Sequence, residues 1–286
     1  KSRIMDLKPG STLPPGSKRK KGGPPRVKRP PVARGQGAGP CLAKVYVCRD
    51  RPEQRVRVLY EDNQLLAVYK PPGILVQGDR TGDPSLLELA KAWIKDHYRK
   101  PGNVFLGLVH RLDRPVSGVM LFARTSKAAA RLSEQFREHR VRKIYRAVIR
   151  GEIEPRSGIL KARLSRTGTR TRVTASWDPV GKEAELRYRT LDTQQGLSLL
   201  EIDLVTGRHH QIRVQLAALG HPICGDQKYS LQHFRRGASM ALMARSLTVR
   251  HPTRPLDMTF VSPVPDDWPW PPTSSEPNAF TGRRSR

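Results

Sequence analysis

Val109-His110-Arg111-Leu112-Asp113-Arg114-Pro115-Val116-Ser117-Gly118 runs straight into Val119-Met120-Leu121-Phe122-Ala123. The second half is an unbroken apolar run behind a turn signal, which predicts a buried strand. The first half sets one aspartate between two arginines, on a loop at the edge of a sheet, a place that suits a site over the sheet face. In a chain with a formal net charge of +28, such a lone acid needs a reason.

Upstream of that stretch, residues 56–60 and 65–69 read as strands joined by a turn at Glu61-Asp62-Asn63. Asp83 is placed to cap a helix with Pro84 at its first position. Leu86, Leu87, Ala90, Trp93, Ile94 and His97 then form its apolar stripe. Downstream, a second helix starts at Ser126, turns Ala129, Leu132 and Phe136 inward, and ends in a basic cluster from Arg137 to Lys143. Strands follow at 145–149, 159–164, 172–176, 184–191 and 197–205. Residues 211–219 read as a helix with Ile212, Leu216 and Leu219 on one face and Gly220 at its end. Strands at 242–250 and 256–261 close the domain. Many strands with few helices predict an α+β fold, a mixed and mainly antiparallel sheet with the helices packed on it.

The positive charge attracts polyanions, and nucleic acid fits best because each phosphate neutralised by Lys or Arg releases counterions. Residues 1–40 hold eleven basic side chains against one acid, Asp6, with Pro and Gly filling much of the rest. Such a segment cannot bury enough apolar surface to order itself. The expected organisation is a disordered basic tail and linker over 1–54, one folded domain over 55–270, and a disordered tail over 271–286. The basic tail reads as an RNA-tethering arm, a remnant of an organellar targeting segment, or a solvated tail with no specific role. Cys41, Cys48 and Cys224 are odd in number and show no C-x-x-C spacing. This argues against a disulfide scaffold or a zinc site and for a reducing compartment. No stretch approaches the ~18 apolar residues of a membrane span. No stretch reads as a secretory h-region either. The expected location is the cytoplasm, or a mitochondrion or plastid if the basic segment is a targeting remnant.

Taken singly, the candidate site residues are ambiguous. Asp113 fits a turn-forming or surface-paired aspartate as well as a catalytic one. Arg213, early in the 211–219 helix, is either a phosphate contact or a partner that would keep Asp113 charged. An ionised carboxylate in a mostly enclosed pocket can act as nucleophile or base. Tyr145 starts a strand beside a basic run. It reads as a half-buried strand tyrosine, or as a ring that stacks on a base for roughly 1–3 kcal/mol.

Together these elements resemble the RluA-type pseudouridine synthases over nearly all of residues 56–266. The similarity rests on Tyr69-Lys70-Pro71-Pro72-Gly73; on His110-Arg111-Leu112-Asp113 with Ser117-Gly118; and on Lys143-x-Tyr145-x-Ala147 with Gly151. It continues in Thr206-Gly207-Arg208-x-His210-Gln211-Ile212-Arg213, then Gly220-x-Pro222-Ile223 and Gly225-Asp226-x-x-Tyr229. His110 ahead of Arg111 is similar to this branch rather than the RsuA-type branch, where glycine usually stands.

The resemblance implies a pseudouridine synthase catalytic domain that isomerises uridine in structured RNA, ribosomal or transfer, after flipping the target base. Asp113 would be the essential aspartate, Tyr145 the tyrosine contacting the flipped uracil, and Arg213 the arginine paired to the aspartate. Arg111 would push into the space the base vacates, and Ile212 would line the uracil pocket. His110 belongs to the same RNA-binding set, and Lys70 contacts RNA backbone or supports the fold. Isomerisation needs no redox cofactor, metal or nucleotide, and no P-loop, dinucleotide or zinc motif is present. The expected partner is RNA, with no membrane, no obligate protein partner and a monomeric state.

Val116, Met243 and Gln215 depart from the family's commonest residues, which leaves substrate choice open. Residues 1–54 are too short and too rich in Pro and Gly for the S4 RNA-binding domain many relatives carry. A non-catalytic RNA-binding or ribosome assembly factor retaining the fold is the alternative function.

Overall fold

A computed structural model describes residues 3–6, 44–48, 51–230 and 239–271. Its described strands form one mixed sheet. They are β1 (Arg3–Asp6), β2 (Lys44–Cys48), β3 (Arg51–Glu61), β4 (Leu65–Lys70), β5 (Gly107–Leu108), β6 (Ser117–Ala123) and β7 (Arg142–Arg150). The remainder are β8 (Ser157–Thr167), β9 (Arg170–Thr174), β10 (Lys182–Gln194), β11 (Leu197–Leu204), β12 (Leu242–Arg250) and β13 (Asp257–Val261). The main order is β1-β8-β10-β11-β7-β12-β6-β4-β3-β2, with β13 on β12, β5 on β6 and β9 on β8. Neighbours are antiparallel except at β1–β8 and β12–β6. Helices α1 (Leu86–His97), α2 (Ser126–Arg137) and α3 (Gln211–Ala218) pack on this sheet, the α+β arrangement expected.

Strand β6 explains why its sequence is apolar without alternation. All seven of its residues are buried. Met120 and Phe122 join the core that holds Leu86, Trp93 and Ile94 of α1. Val119, Leu121 and Ala123 join the opposite core with Ala128 and Leu132 of α2. A strand covered on both faces needs apolar side chains on both.

Helix α1 starts two residues later than expected. Ser85, not Asp83, is the N-cap, in a capping box with Glu88. The Ser85 hydroxyl reaches the Glu88 amide while the Glu88 carboxylate returns to the Ser85 amide, satisfying two otherwise open donors. The shift also corrects the stripe. Leu89 is buried, whereas His97 is exposed and stacks on Trp93 at 4.8 Å.

Three stretches of the segment expected to be disordered, 1–54, are described as strands: β1 on β8, β2 on β3, and the start of β3 itself from Arg51. Val45-Tyr46-Val47 favours a strand by its β-branched and aromatic residues. The rest of residues 1–43 lies outside the described residues, as do 272–286. Trp270, at 4% exposure, packs into the main core at the expected end of the domain.

The parallel β12–β6 contact is short, pairing Met243 with Ser117 and Ala244 with Gly118. It depends on glycine. Gly118 has φ +128°, and a Cβ there would sit 2.3 Å from the Ala244 carbonyl oxygen. The 109–116 loop that leads into β6 lines the same cavity as Tyr145 of β7. Among the described residues, no helix is long and apolar enough to cross a membrane.

Candidate active site

Three strand-end segments converge at the middle of the sheet. The loop between β5 and β6 brings His110, Arg111 and Asp113, β7 brings Lys143 and Tyr145, and the turn from β11 into α3 brings residues 207–213. They line one cavity of about 740 Å³, within the usual size of ligand sites. Six residues expected at the site line it: His110, Arg111, Asp113, Tyr145, Ile212 and Arg213. Lys143, Arg137, Arg166 and Arg208 also line it, giving a cavity dominated by positive charge.

Asp113 and Arg213, one hundred residues apart, meet there. Arg213 Nη1 donates to Asp113 Oδ2 at 3.2 Å. The remaining donors of the guanidinium are directed at a carboxylate the sequence reading did not single out. Nε donates to Asp226 Oδ2 at 2.7 Å and Nη2 to Asp226 Oδ1 at 2.8 Å. Asp226 also accepts the amides of Lys228 and Tyr229. Burial raises the Asp226 carboxyl, but the Arg213 contacts outweigh it and hold the group below its ordinary value. Burial likewise opposes the charge on Arg213, and Asp226 followed by Asp113 more than restores it. A bidentate fork on a buried carboxylate fixes the plane of the guanidinium. One arm is left for Asp113, whose side chain is 27% exposed toward the cavity.

The turn into α3 is held by its own side chains. Gln211 Oε1 accepts from the Arg208 amide and the Thr206 hydroxyl, and Gln211 Nε2 donates to the Glu185 carbonyl. His210, the residue before the helix, has φ 54° and gives no side-chain cap. A left-handed conformation in a non-glycine residue is costly and is held by its surroundings. It turns the imidazole back onto the site. His210 Nδ1 lies 2.7 Å from the Tyr229 hydroxyl, and Nε2 lies 3.5 Å from Asp113 Oδ2. Burial pulls His210 down to about 4 despite the opposing pull of Asp113, so the ring is neutral at pH 7.

Tyr145 lines the cavity from β7, and burial followed by the nearby Asp113 charge pushes its hydroxyl above the ordinary value. It is a neutral phenol at physiological pH. Ile212, 5% exposed, supplies an apolar wall. Arg111 is exposed on the rim and makes no hydrogen bond or ion pair among the described residues.

Two expected RNA-contacting residues sit differently. Lys70 is fully buried and outside the cavity, which corrects its reading as an RNA backbone contact. Its ammonium donates to the carbonyls of Pro71, Arg114 and Val116 at 3.1, 2.8 and 2.7 Å. Burial pulls it down to about 7, against the opposing pull of Asp113. Lys70 therefore pins the loop that presents Asp113. His110 lines the cavity with its ring stacked on Phe136 at 4.9 Å, but its Nε2 accepts the Leu121 amide at 2.9 Å. Burial, followed by Lys143, pulls His110 down to about 3, so it holds β6 as a neutral acceptor.

The groups missed in the sequence are Asp226, His210, Tyr229 and Lys143. Their signal lay in Arg208-x-His210-Gln211, in Gly225-Asp226-x-x-Tyr229 and in the basic run ending at Lys143. Gly225 has φ +79°, and a Cβ there would meet the Ser239 carbonyl oxygen at 2.3 Å, so the turn presenting Asp226 requires glycine. Among the described residues, no three His, Cys, Asp or Glu side chains are grouped to hold a metal ion.

A family profile described as RNA pseudouridylate synthase matches residues 64–218. The chain is 32% identical over 231 residues to the ribosomal large subunit pseudouridine synthase D of Pseudomonas aeruginosa, covering 75% of this chain and 70% of that one. It is 37% identical over 203 residues to the mitochondrial pseudouridylate synthase RPUSD4 of Xenopus tropicalis, covering 62% and 61%. With the ribosomal large subunit pseudouridine synthase C of Vibrio cholerae it shares 36% over 177 residues, covering 62% and 54%. The chain thus spans 54 to 70% of the length of these relatives. The structure of human RNA pseudouridylate synthase domain containing 4 superposes with a TM-score of 0.65 at 24% identity, over 74% of this chain and 89% of that one. The human domain containing 1 structure gives a TM-score of 0.60 at 27% identity, over 73% and 84%.

Proposed function

Because the chain belongs to the RNA pseudouridylate synthase family, in its RluA-type branch, we propose that it converts uridine in structured RNA to pseudouridine with Asp113 as the catalytic carboxylate. The observation that carries the proposal is the Arg213 Nη1 to Asp113 Oδ2 contact at 3.2 Å inside a cavity lined by arginine and lysine. It supplies a fixed carboxylate in a field that draws a polyanion toward it.

In the reaction the C1′–N1 bond breaks, the uracil turns within the slot, and C5 bonds to C1′. The C5 proton leaves and N1 takes one up, so the product is an isomer and no electrons are gained or lost. The target nucleotide must first leave its stack, at a cost of about a few kcal/mol. Stacking against Tyr145 and insertion of Arg111 into the vacated space offset part of that cost. Tyr145 and Ile212 form the walls of the slot, and Arg213 holds the carboxylate. Attack of Asp113 on the sugar, attack on the ring and initiation of elimination all begin from this geometry. Ribosomal RNA is the proposed substrate class over transfer RNA, on the names of the bacterial relatives.

The test is tritium release from RNA carrying 5-tritiated uridine, since tritium leaves only when C5 reacts. The protein is expected to release tritium from ribosomal RNA transcripts. Asp113→Asn is expected to abolish release while RNA affinity stays within a few-fold. Absence of release by the intact protein on ribosomal and transfer RNA would support a non-catalytic RNA-binding factor instead. Turnover by the Asn variant would overturn the role of Asp113.

A further inference from the structure

Resting on that reading of Asp113, we propose that His210 is a positioning residue. Tyr229 locks its imidazole in the Nε2–H form, so that His210 and Arg213 both address Oδ2 of Asp113 and leave Oδ1 as the oxygen presented to the substrate.

The assignment follows from counting donors and acceptors. The Tyr229 oxygen accepts the Thr171 amide at 2.8 Å and lies 2.7 Å from His210 Nδ1. A phenol has one proton to give. Among the described residues its only acceptor is His210 Nδ1, so the hydroxyl donates there and the ring proton resides on Nε2. That nitrogen stands 3.5 Å from Asp113 Oδ2. The opposite tautomer would strand the Tyr229 proton and turn an imidazole lone pair toward a carboxylate. The second is unfavourable for the buried imidazole, and the first forgoes the one protein acceptor of the phenol among the described residues. His210 is 9% exposed, and its ring is sandwiched further by His209 at a centroid distance of 3.7 Å. His209 is itself tied through Nδ1 to the Thr171 hydroxyl at 2.9 Å. Arg213 completes the enclosure, with its guanidinium carbon 5.1 Å from the centre of the Tyr229 ring.

The two donors toward Asp113 converge on one oxygen. Arg213 Nη1 reaches Oδ2 at 3.2 Å and His210 Nε2 approaches the same atom at 3.5 Å. No side chain among the described residues hydrogen-bonds Oδ1. Catalytic hydrogen bonds often reach their full strength only in the complex with substrate. The left-handed backbone at His210 is what lets the ring reach Tyr229 and Asp113 together.

Substitution and spectroscopy together test this. Gln at position 210 keeps an N–H donor near the place of Nε2, whereas Asn keeps one only near the place of Nδ1. His210→Asn is expected to lower kcat on the order of 10-fold or more with KM within about three-fold, the loss of one N–H directed at a charged group. His210→Gln is expected to recover most of that loss. In protein labelled with nitrogen-15 at histidine, the His210 signals, assigned by their absence in His210→Asn, should report the Nε2–H tautomer at pH 7. Tyr229→Phe should release the ring into a mixture of tautomers. An Nδ1–H ring in the intact protein would overturn the proposal, as would equal kcat for the Gln and Asn variants. The tautomer measurement needs no substrate. Its failure is therefore distinct from a failure of the intact protein to release tritium.

Discussion

Lys70 Nζ donates to the Val116 carbonyl at 2.7 Å from a side chain with no exposure to solvent. With the Arg114 and Pro71 carbonyls also bound, one ammonium closes the base of the loop whose next accessible acid is Asp113. Lys70 thus lies behind the loop rather than in the cavity, and its contribution is geometry.

Replacing Lys70 by Met is therefore expected to act through that loop. The Pro71 and Val116 carbonyls lose the ammonium while Arg114 keeps the Gly73 amide, at roughly 1–3 kcal/mol for each carbonyl that stays buried and unpaired. Urea denaturation should show destabilisation of about 2 kcal/mol or more. Tritium release should fall even where the variant is fully folded, because Asp113 loses its fixed position. A folded variant with unchanged kcat would make the lysine a bystander.

Asp226→Ala should cost more. Removing one partner of a buried charge pair typically costs about 3–5 kcal/mol, and here it leaves the guanidinium with only its 3.2 Å contact to Asp113. Asp226→Asn retains the volume and one acceptor, so it should fold. Its kcat should fall nonetheless, since Arg213 is no longer gripped by both carboxylate oxygens. Unfolding curves and single-turnover rates on the two variants separate these effects.

Acid should weaken the fold through its histidines. His110 is held at about 3 and His210 at about 4, both below the ordinary value of 6.5. Between those values and 6.5 the unfolded chain binds protons that the folded chain refuses, so stability falls as pH falls. Their contribution is fully present above 6.5 and is lost progressively toward pH 3. Melting temperatures of His110→Gln, measured from pH 7 to 4, should fall less steeply than those of the wild type. An identical slope would show that His110 does not exclude its proton.

The basic cavity predicts a salt signature. Arg111 and Arg166 line it and are both exposed. If each neutralises one phosphate, their joint replacement by Ala lowers the magnitude of the slope of log affinity against log salt by about 2. Titrations from 50 to 200 mM salt would show it. An unchanged slope would place the phosphates elsewhere, for instance on the basic segment over 1–40.

Periodicity alone determined much of this protein. The apolar run of β6, the stripe of α1 and the turn at Asp62 are local patterns, and each element formed close to its expected place. Asp83 and Ser85 are both good caps, and only the Glu88 carboxylate three residues beyond Ser85 decides between them. Pairing of Asp113 with Arg213 is one of two readings the residues allow, and only the resemblance favours it over a phosphate contact, since no local rule joins residues one hundred positions apart. Tertiary structure decided the rest. It buried Lys70 under the loop, set Asp226 behind Arg213 and turned His210 onto Tyr229. Those outcomes follow from which charges are enclosed together, and enclosure arises only once the sheet has brought distant strand ends into contact.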